Sequence, residues 1–451
     1  MTLRLSSGLL LTILLTLSGC EKQPQTDVPA DALPATPRAA VRLTVLVIDD
    51  QGLAAGIDLM RGEWAERSGG ELQVLQSTVQ ELTDSDQLAA DLIVYPSRLL
   101  GTLVDRNWLR PVRKTLLQDQ ELDFADFLPL IRDRVMRFGG EVFALSLGEP
   151  PLMLTWQGNL PPALMEAPQF TWSRFDRIGP ARTKHSSLEY PLATELILRA
   201  VVLADPTSKN AVLFDPQTME PMLQEPWFAR ALQAMLARQP AVNGGGEQGV
   251  FDFSWPTAGF LVGTDDSGTK LTNFLAIPIA DELYDRSLKS WSGNEQVVPP
   301  PTFLCFSGRL ASVTRQTRNA VSAFQLLKWL ASKDAAVQIS PRSRATLWFR
   351  SSQSSQAAKW LSERGVSDSI PTEMTKLLSG GEAFLLPRIP GIDEYLQSLE
   401  KLVAKAIFES KAPEITLSEA KEQWQAITAT YGISRQQDAY RRHLGLEAAF
   451  K

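Results

Sequence analysis

The sequence predicts an α/β fold built on a parallel sheet, and three observations carry that reading. Residues 41–48 form a β-branched, Leu-rich run of the kind that fills a strand buried on both faces. Leu53, Ile57, Met60 and Trp64 then recur at helical spacing, and Gly69-Gly70 stops the helix. A second strand follows at once in Glu71-Leu72-Gln73-Val74-Leu75. This strand, helix, strand order is the crossover that parallel pairing requires. A further helix leads to residues 90–97, another buried strand closed by a turn at Pro96-Ser97. In open α/β sheets ligands bind beyond the carboxyl ends of the strands. Asp49, Asp50, Gln51, Ser97 and Arg98 occupy such ends. They are candidate ligand contacts, and the same residue types also serve as helix caps and solvated loop residues.

Composition narrows the function. The 451 residues suffice for two or three compact units. With 44% apolar and 21% charged residues, the chain reads as an ordinary globular protein. Its 45 basic against 51 acidic residues leave a net charge of −6, without the basic excess that phosphate neutralisation needs, so no nucleic-acid partner is expected. Two His and two Cys cannot build the usual zinc or thiol redox centres. No metal site, cofactor or catalytic residue is expected. The stretch 263–270 approaches a phosphate-binding loop, but it ends in Thr269-Lys270 where the motif needs Lys before Ser or Thr, and it carries Asp265 and Asp266 where phosphate would sit. No Gly-x-Ser-x-Gly elbow occurs, and His185 and His443 lie in polar, charged stretches that read as solvated. Two carboxylates at a set separation would suffice for a glycosidase.

The N-terminus reads as an export signal. Arg4 precedes an apolar run over residues 9–17, of signal-peptide length and too short to span a bilayer. It ends in Leu17-Ser18-Gly19-Cys20, which resembles the bacterial lipobox. That resemblance implies cleavage of residues 1–19 and lipidation of Cys20, so that membrane lipid is a partner through Cys20. Removing Arg4 leaves 44 basic against 51 acidic residues, a mature charge near −7. Residues 20–40 carry four Pro and read as a tether that could hold a folded body up to roughly 60 Å from its lipid.

The order of later segments resembles the bacterial extracellular solute-binding proteins of the maltose-binding type. Leu92-Ile93-Val94-Tyr95-Pro96-Ser97, followed by residues 103–112, is similar to that family's strand, helix and Pro corner. Residues 138–148 are similar to its Gly-Lys-x-Tyr-Ala-Leu-Pro strand, Trp156-Gln157-Gly158-Asn159-Leu160 to its Tyr-Asn-Lys-Asp-Leu turn, and Thr171-Trp172-Ser173-Arg174-Phe175 to a helix start. Gly158 and Asn159 depart from the pattern and remove one charge of each sign. Residues 251–256, 274–278, 302–308, 319–332 and 420–430 continue the similarity, which spans about residues 41–432.

The resemblance implies a two-lobed periplasmic-binding-protein-like fold (type II), its lobes joined by hinge crossing strands. The first lobe is placed at 41–148 plus 308–346, the second at 149–303 plus 349–432, and a C-terminal tail at 433–451. Crossings are expected near residues 145–154, 302–307 and 346–350. Sugar sites need flat apolar faces flanked by hydrogen-bonding groups, which makes Trp255 and Trp291 aromatic candidates. Glu149 at the first crossing, Ser307 at the second, and Arg344 and Arg350 at the third are polar candidates. Trp64, Trp329 and Trp424 sit at apolar helical positions and read as core, and Cys305 as an inert buried thiol. The implied function is a lipid-anchored, extracytoplasmic binding protein that captures a small solute, a sugar above all, for an ABC-type importer. The alternatives are an envelope sensor or chaperone module and a cell-envelope glycosidase.

Overall fold

A computed structural model describes residues 41–157, 170–178, 181–182, 186–204, 211–238, 250–255, 272–295, 297–355 and 369–446. The lipobox, tether, Gly158-Asn159 turn, His185 and residues 263–270 lie outside the described residues.

The first lobe is a five-stranded sheet in the order Glu71–Ser77, Arg42–Ile48, Leu92–Pro96, Arg309–Val313, Leu145–Gly148. The first three strands run parallel, as their sequence order requires, and Leu43, Val45, Val47 and Ile48 are wholly buried. Asp50 caps the helix Gln51–Leu59, its carboxylate accepting from the Leu53 N–H at 2.9 Å. Arg309–Val313 enters antiparallel between two strands that precede it in the chain by far more than a hairpin's length. The helices Ala320–Leu330 and Lys333–Ile339 follow it, and Trp329 packs on Trp64 with ring centroids 5.6 Å apart.

The second lobe has a smaller sheet in the order Thr272–Leu275, Met153–Gln157, Val250–Ser254, Ala181–Arg182. Helices Pro191–Leu203, Pro226–Ala237, Ile392–Glu409 and Pro413–Tyr431 pack together beside it. Its interior is aromatic, with Phe251, Phe253, Trp172 and Phe175 in edge-on contacts and Phe214 stacked on Trp424 at 5.0 Å. Buried Glu195 is bonded by Arg182, Arg199 and Arg238. Burial works against its charge, but the three guanidiniums prevail and hold the carboxyl well below the usual carboxylate range.

Three adjacent stretches join the lobes. Residues 149–152 lead from the first sheet to the second, and Leu152 donates to the Phe303 carbonyl. Thr302–Leu304 leads back, and Ala383–Leu385 pairs with it in parallel and so runs the same way, ahead of the second lobe's helix Ile392–Glu409. The crossing expected at 346–350 is therefore misplaced. Residues there still belong to the first lobe, where Leu128 donates to the Phe349 carbonyl and Phe127 bridges to Arg350. The expected C-terminal tail is also corrected: Ile433–Leu444 is a helix with Gln436, Ala439, Tyr440 and His443 buried. It touches both lobes, because Tyr440 packs on Phe214 while Arg435 pairs with Asp105 and the Arg442 carbonyl accepts from Gly139.

Candidate functional site

Because the crossings run side by side, the ends of the first lobe's strands face the second lobe across a cleft enclosing about 190 Å³. Arg98, Arg309 and Ser307 line one side and the hinge, with Phe306 beside them in the chain; Ser187, Glu189, Tyr190, Thr194, Trp255 and Asp393 line the other. Of the residues expected to contact ligand, the structure brings Ser307, Arg98 and Trp255 to this cleft.

Trp255 ends the strand Val250–Ser254, so its half-buried ring leaves the sheet toward the hinge. Its indole N–H donates to the Arg344 carbonyl at 2.8 Å, which fixes the ring at the edge of the cleft. Arg344 thus supplies its backbone here, and its side chain is absent from the cleft lining. Arg98 follows the strand Leu92–Pro96; its Nε donates to Asp393 at 2.8 Å, and its Nη2 lies 3.7 Å from Glu189. Burial opposes the Arg98 charge, but Asp393 and Glu189 raise its pKa. Arg309 donates to the Gly308 and Asp49 carbonyls, each at 2.9 Å, and its Nε lies 3.1 Å from the Asp50 carboxylate. The Ser307 hydroxyl donates to the Ala345 carbonyl, and the Ser97 hydroxyl to the Ser307 carbonyl at 2.8 Å.

Glu149 lies beneath the lining, fully buried. Its Oε1 accepts from the Cys305 N–H at 2.7 Å, tying the first crossing to the second, and its Oε2 is buried without a hydrogen-bond partner. Gly308, at φ +73°, is pressed so closely on the carboxylate that a Cβ would stand 2.0 Å from Oε2. Burial pushes the Glu149 pKa up to about 7. Cys305 is buried beside it, and burial likewise pushes its thiol up.

The other candidates lie elsewhere. Asp49 accepts from the Val79 N–H through its carboxylate, Asp50 caps its helix and accepts from the Ser343 hydroxyl at 2.6 Å, and Gln51 is exposed on the first turn. These three are strand-end residues in position, but they work as caps or face solvent. Trp291 stands on the hairpin Glu282–Asp285/Ser290–Gly293, edge-on to Tyr284 and under Arg230, away from the cleft lining. Arg350 corrects the expectation most plainly. It is fully buried in the first lobe over Phe127, its N–H groups given to the carbonyls of Ala331, Leu122 and Asp123 and to Asp126. His443, read as solvated, is buried: Arg388 Nε donates to its Nδ1 at 3.3 Å, and burial together with Arg388 lowers its pKa well below the ordinary value.

Arg309, Glu189, Tyr190 and Asp393 are cleft residues that the sequence reading missed. Arg309 had a local signal, since it follows Ser307-Gly308 at an expected crossing; Glu189 and Asp393 had none, because only the fold brings them to Arg98.

The cleft therefore combines donors and acceptors with the aromatic side chains of Trp255, Tyr190 and Phe306, and its Arg98 and Arg309 charges lie against carboxylates. No protein-family model matches this sequence, and no curated protein does. Solved structures do match. The ABC transporter solute-binding protein from Agrobacterium radiobacter K84, in complex with ribitol, is 16% identical with a TM-score of 0.61, over 86% of this chain and 98% of that one. The chain has the fold of the ABC-transporter solute-binding proteins. Two further structures with this fold are the cyclic alpha-maltosyl-1,6-maltose binding protein from Arthrobacter globiformis (13% identity, TM-score 0.60, 87% of this chain and 100% of that one) and the maltose-maltodextrin binding protein of Alicyclobacillus acidocaldarius (14%, 0.55, 85% and 100%). The solute-binding fold accounts for the side-by-side crossings and for a cleft walled by both lobes.

Proposed function

We propose that this protein is an extracytoplasmic solute-binding protein that captures a small carbohydrate or polyol between its lobes and delivers it to an ABC-type importer. It acts by binding and release, not as an enzyme. Cys20, lipidated after removal of residues 1–19, anchors it to a bacterial membrane, with residues 20–40 as tether. The observation that carries the reading is the cleft itself, where Trp255 offers a fixed apolar face beside hydroxyl, carboxylate and guanidinium groups from both walls. A solute touching both walls binds the closed state better than the open one and so selects it.

The test is a thermal-shift screen of the purified protein against alditols, maltodextrins and inorganic anions. Solute at 100 times its Kd adds about 2.7 kcal/mol of stability. A rise in Tm with an alditol or sugar, accompanied by a fall in radius of gyration, is the expected result; a rise with anions alone would overturn the carbohydrate reading.

A further inference from the structure

The two walls of the cleft carry opposite charge. On the first lobe, Arg98 stands close enough to Arg309 to oppose its charge, and Asp50 lies against Arg309. On the second lobe, Glu189 and Asp393 face them. Arg98 leaves the first lobe on the short turn Ser97–Leu99, whereas Asp393 stands in the first turn of the 18-residue helix Ile392–Glu409 and Glu189 just before Pro191–Leu203. The Glu189 carboxylate is steadied by the Tyr190 hydroxyl, which donates to it at 2.9 Å. The Arg98 side chain is 17% exposed and that of Asp393 25%, so this pair is partly shielded in dilute buffer and open at its edge to concentrated salt.

We propose that Arg98 is an inter-lobe latch: its ion pairs with Asp393 and Glu189 hold the two walls together before any solute arrives and set how far the empty protein opens. The proposal rests on the solute-capture reading only in that the lobes must move. Removing Arg98 takes away both of these ion pairs and with them their attraction between the walls. Removing Glu189, whose side chain is 65% exposed, weakens the latch from outside the core.

Solution scattering of the unliganded full chain tests this. Arg98→Met is expected to raise the radius of gyration, and about 1 M NaCl, where the Debye length is about 3 Å, is expected to raise it more in the parent protein than in the variant. Arg98→Lys, which keeps the charge and loses the directed Nε bond, should lie between the two. Should Arg98→Met fail to fold, the Glu189→Gln/Asp393→Asn double variant takes its place with the same expected shift. A radius of gyration unchanged by both substitution and salt would overturn the latch. No solute enters this measurement, so its failure leaves the solute-capture reading intact, and a negative solute screen leaves the latch intact.

Discussion

Two residues of the site make separable predictions. Trp255 has a half-buried ring and one backbone hydrogen bond, so Trp255→Ala should weaken a bound sugar by about 1–3 kcal/mol, the scale of a lost stacking face. Calorimetric titration measures the loss, and Tm without solute should change little. Glu149 predicts a pH dependence. Its pKa is raised from 4.5 to about 7 in the folded protein, so between these values the folded state holds a proton that the unfolded state has released. Stability from this group is complete below about pH 4.5 and is lost as pH rises toward 7, by on the order of 3 kcal/mol. Denaturant midpoints across that range should fall in the parent protein and stay flatter in Glu149→Gln. Such residues were only partly legible in the sequence. Position at a strand end identified Arg98, and position at an expected crossing Ser307, but the strand-end rule also selected Asp49 and Asp50, which the local backbone takes for caps. Arg350 shows the sharper limit, since nothing local tells a binding guanidinium from one buried against four backbone and side-chain acceptors.

Periodicity read the elements well wherever a single element decides its own burial. The run at 41–48 and the spacing of Leu53, Ile57, Met60 and Trp64 became a strand and helices with those side chains in the core. Trp329, on the helix Ala320–Leu330, is buried against Trp64 as its spacing implied. Trp329→Ala should therefore lower unliganded stability by about 3–5 kcal/mol in chemical denaturation, in contrast to Trp255→Ala. The C-terminal helix escaped the reading for a physical reason. Ile433–Leu444 is rich in Arg and Gln, and its buried stripe of Gln436, Tyr440 and His443 is polar in composition; its neighbours from both lobes, not its own hydrophobicity, make it a buried element.

At the scale of the whole molecule, the fold class and the two-lobed plan were legible because segment order survives where individual motifs are weak, and the structural neighbours at 13–16% identity share the fold. The lobe boundaries were less so, since the family resemblance set a crossing at residues 346–350 while their partners Phe127 and Leu128 keep them in the first lobe. If Cys20 is the anchor, Cys20→Ser should release the protein from the membrane fraction on cell fractionation, because no helix among the described residues is long and apolar enough to cross a membrane. The strand Arg309–Val313 carries a consequence for synthesis. It is flanked in the sheet by Leu92–Pro96 and Leu145–Gly148, so the growing chain exposes a seam between two finished apolar strands until the lobe beyond it has been made. Closing a loop of roughly 200 residues to fill that seam costs about 5 kcal/mol of chain entropy. A nascent chain stopped before residue 309 therefore has no native first lobe, and its open strand edges invite pairing with other chains. A fragment of residues 41–308 should accumulate as aggregate under conditions in which residues 41–451 do not, and the order in which the ribosome delivers the segments makes this sheet's last-arriving strand the step that commits the first lobe to its fold.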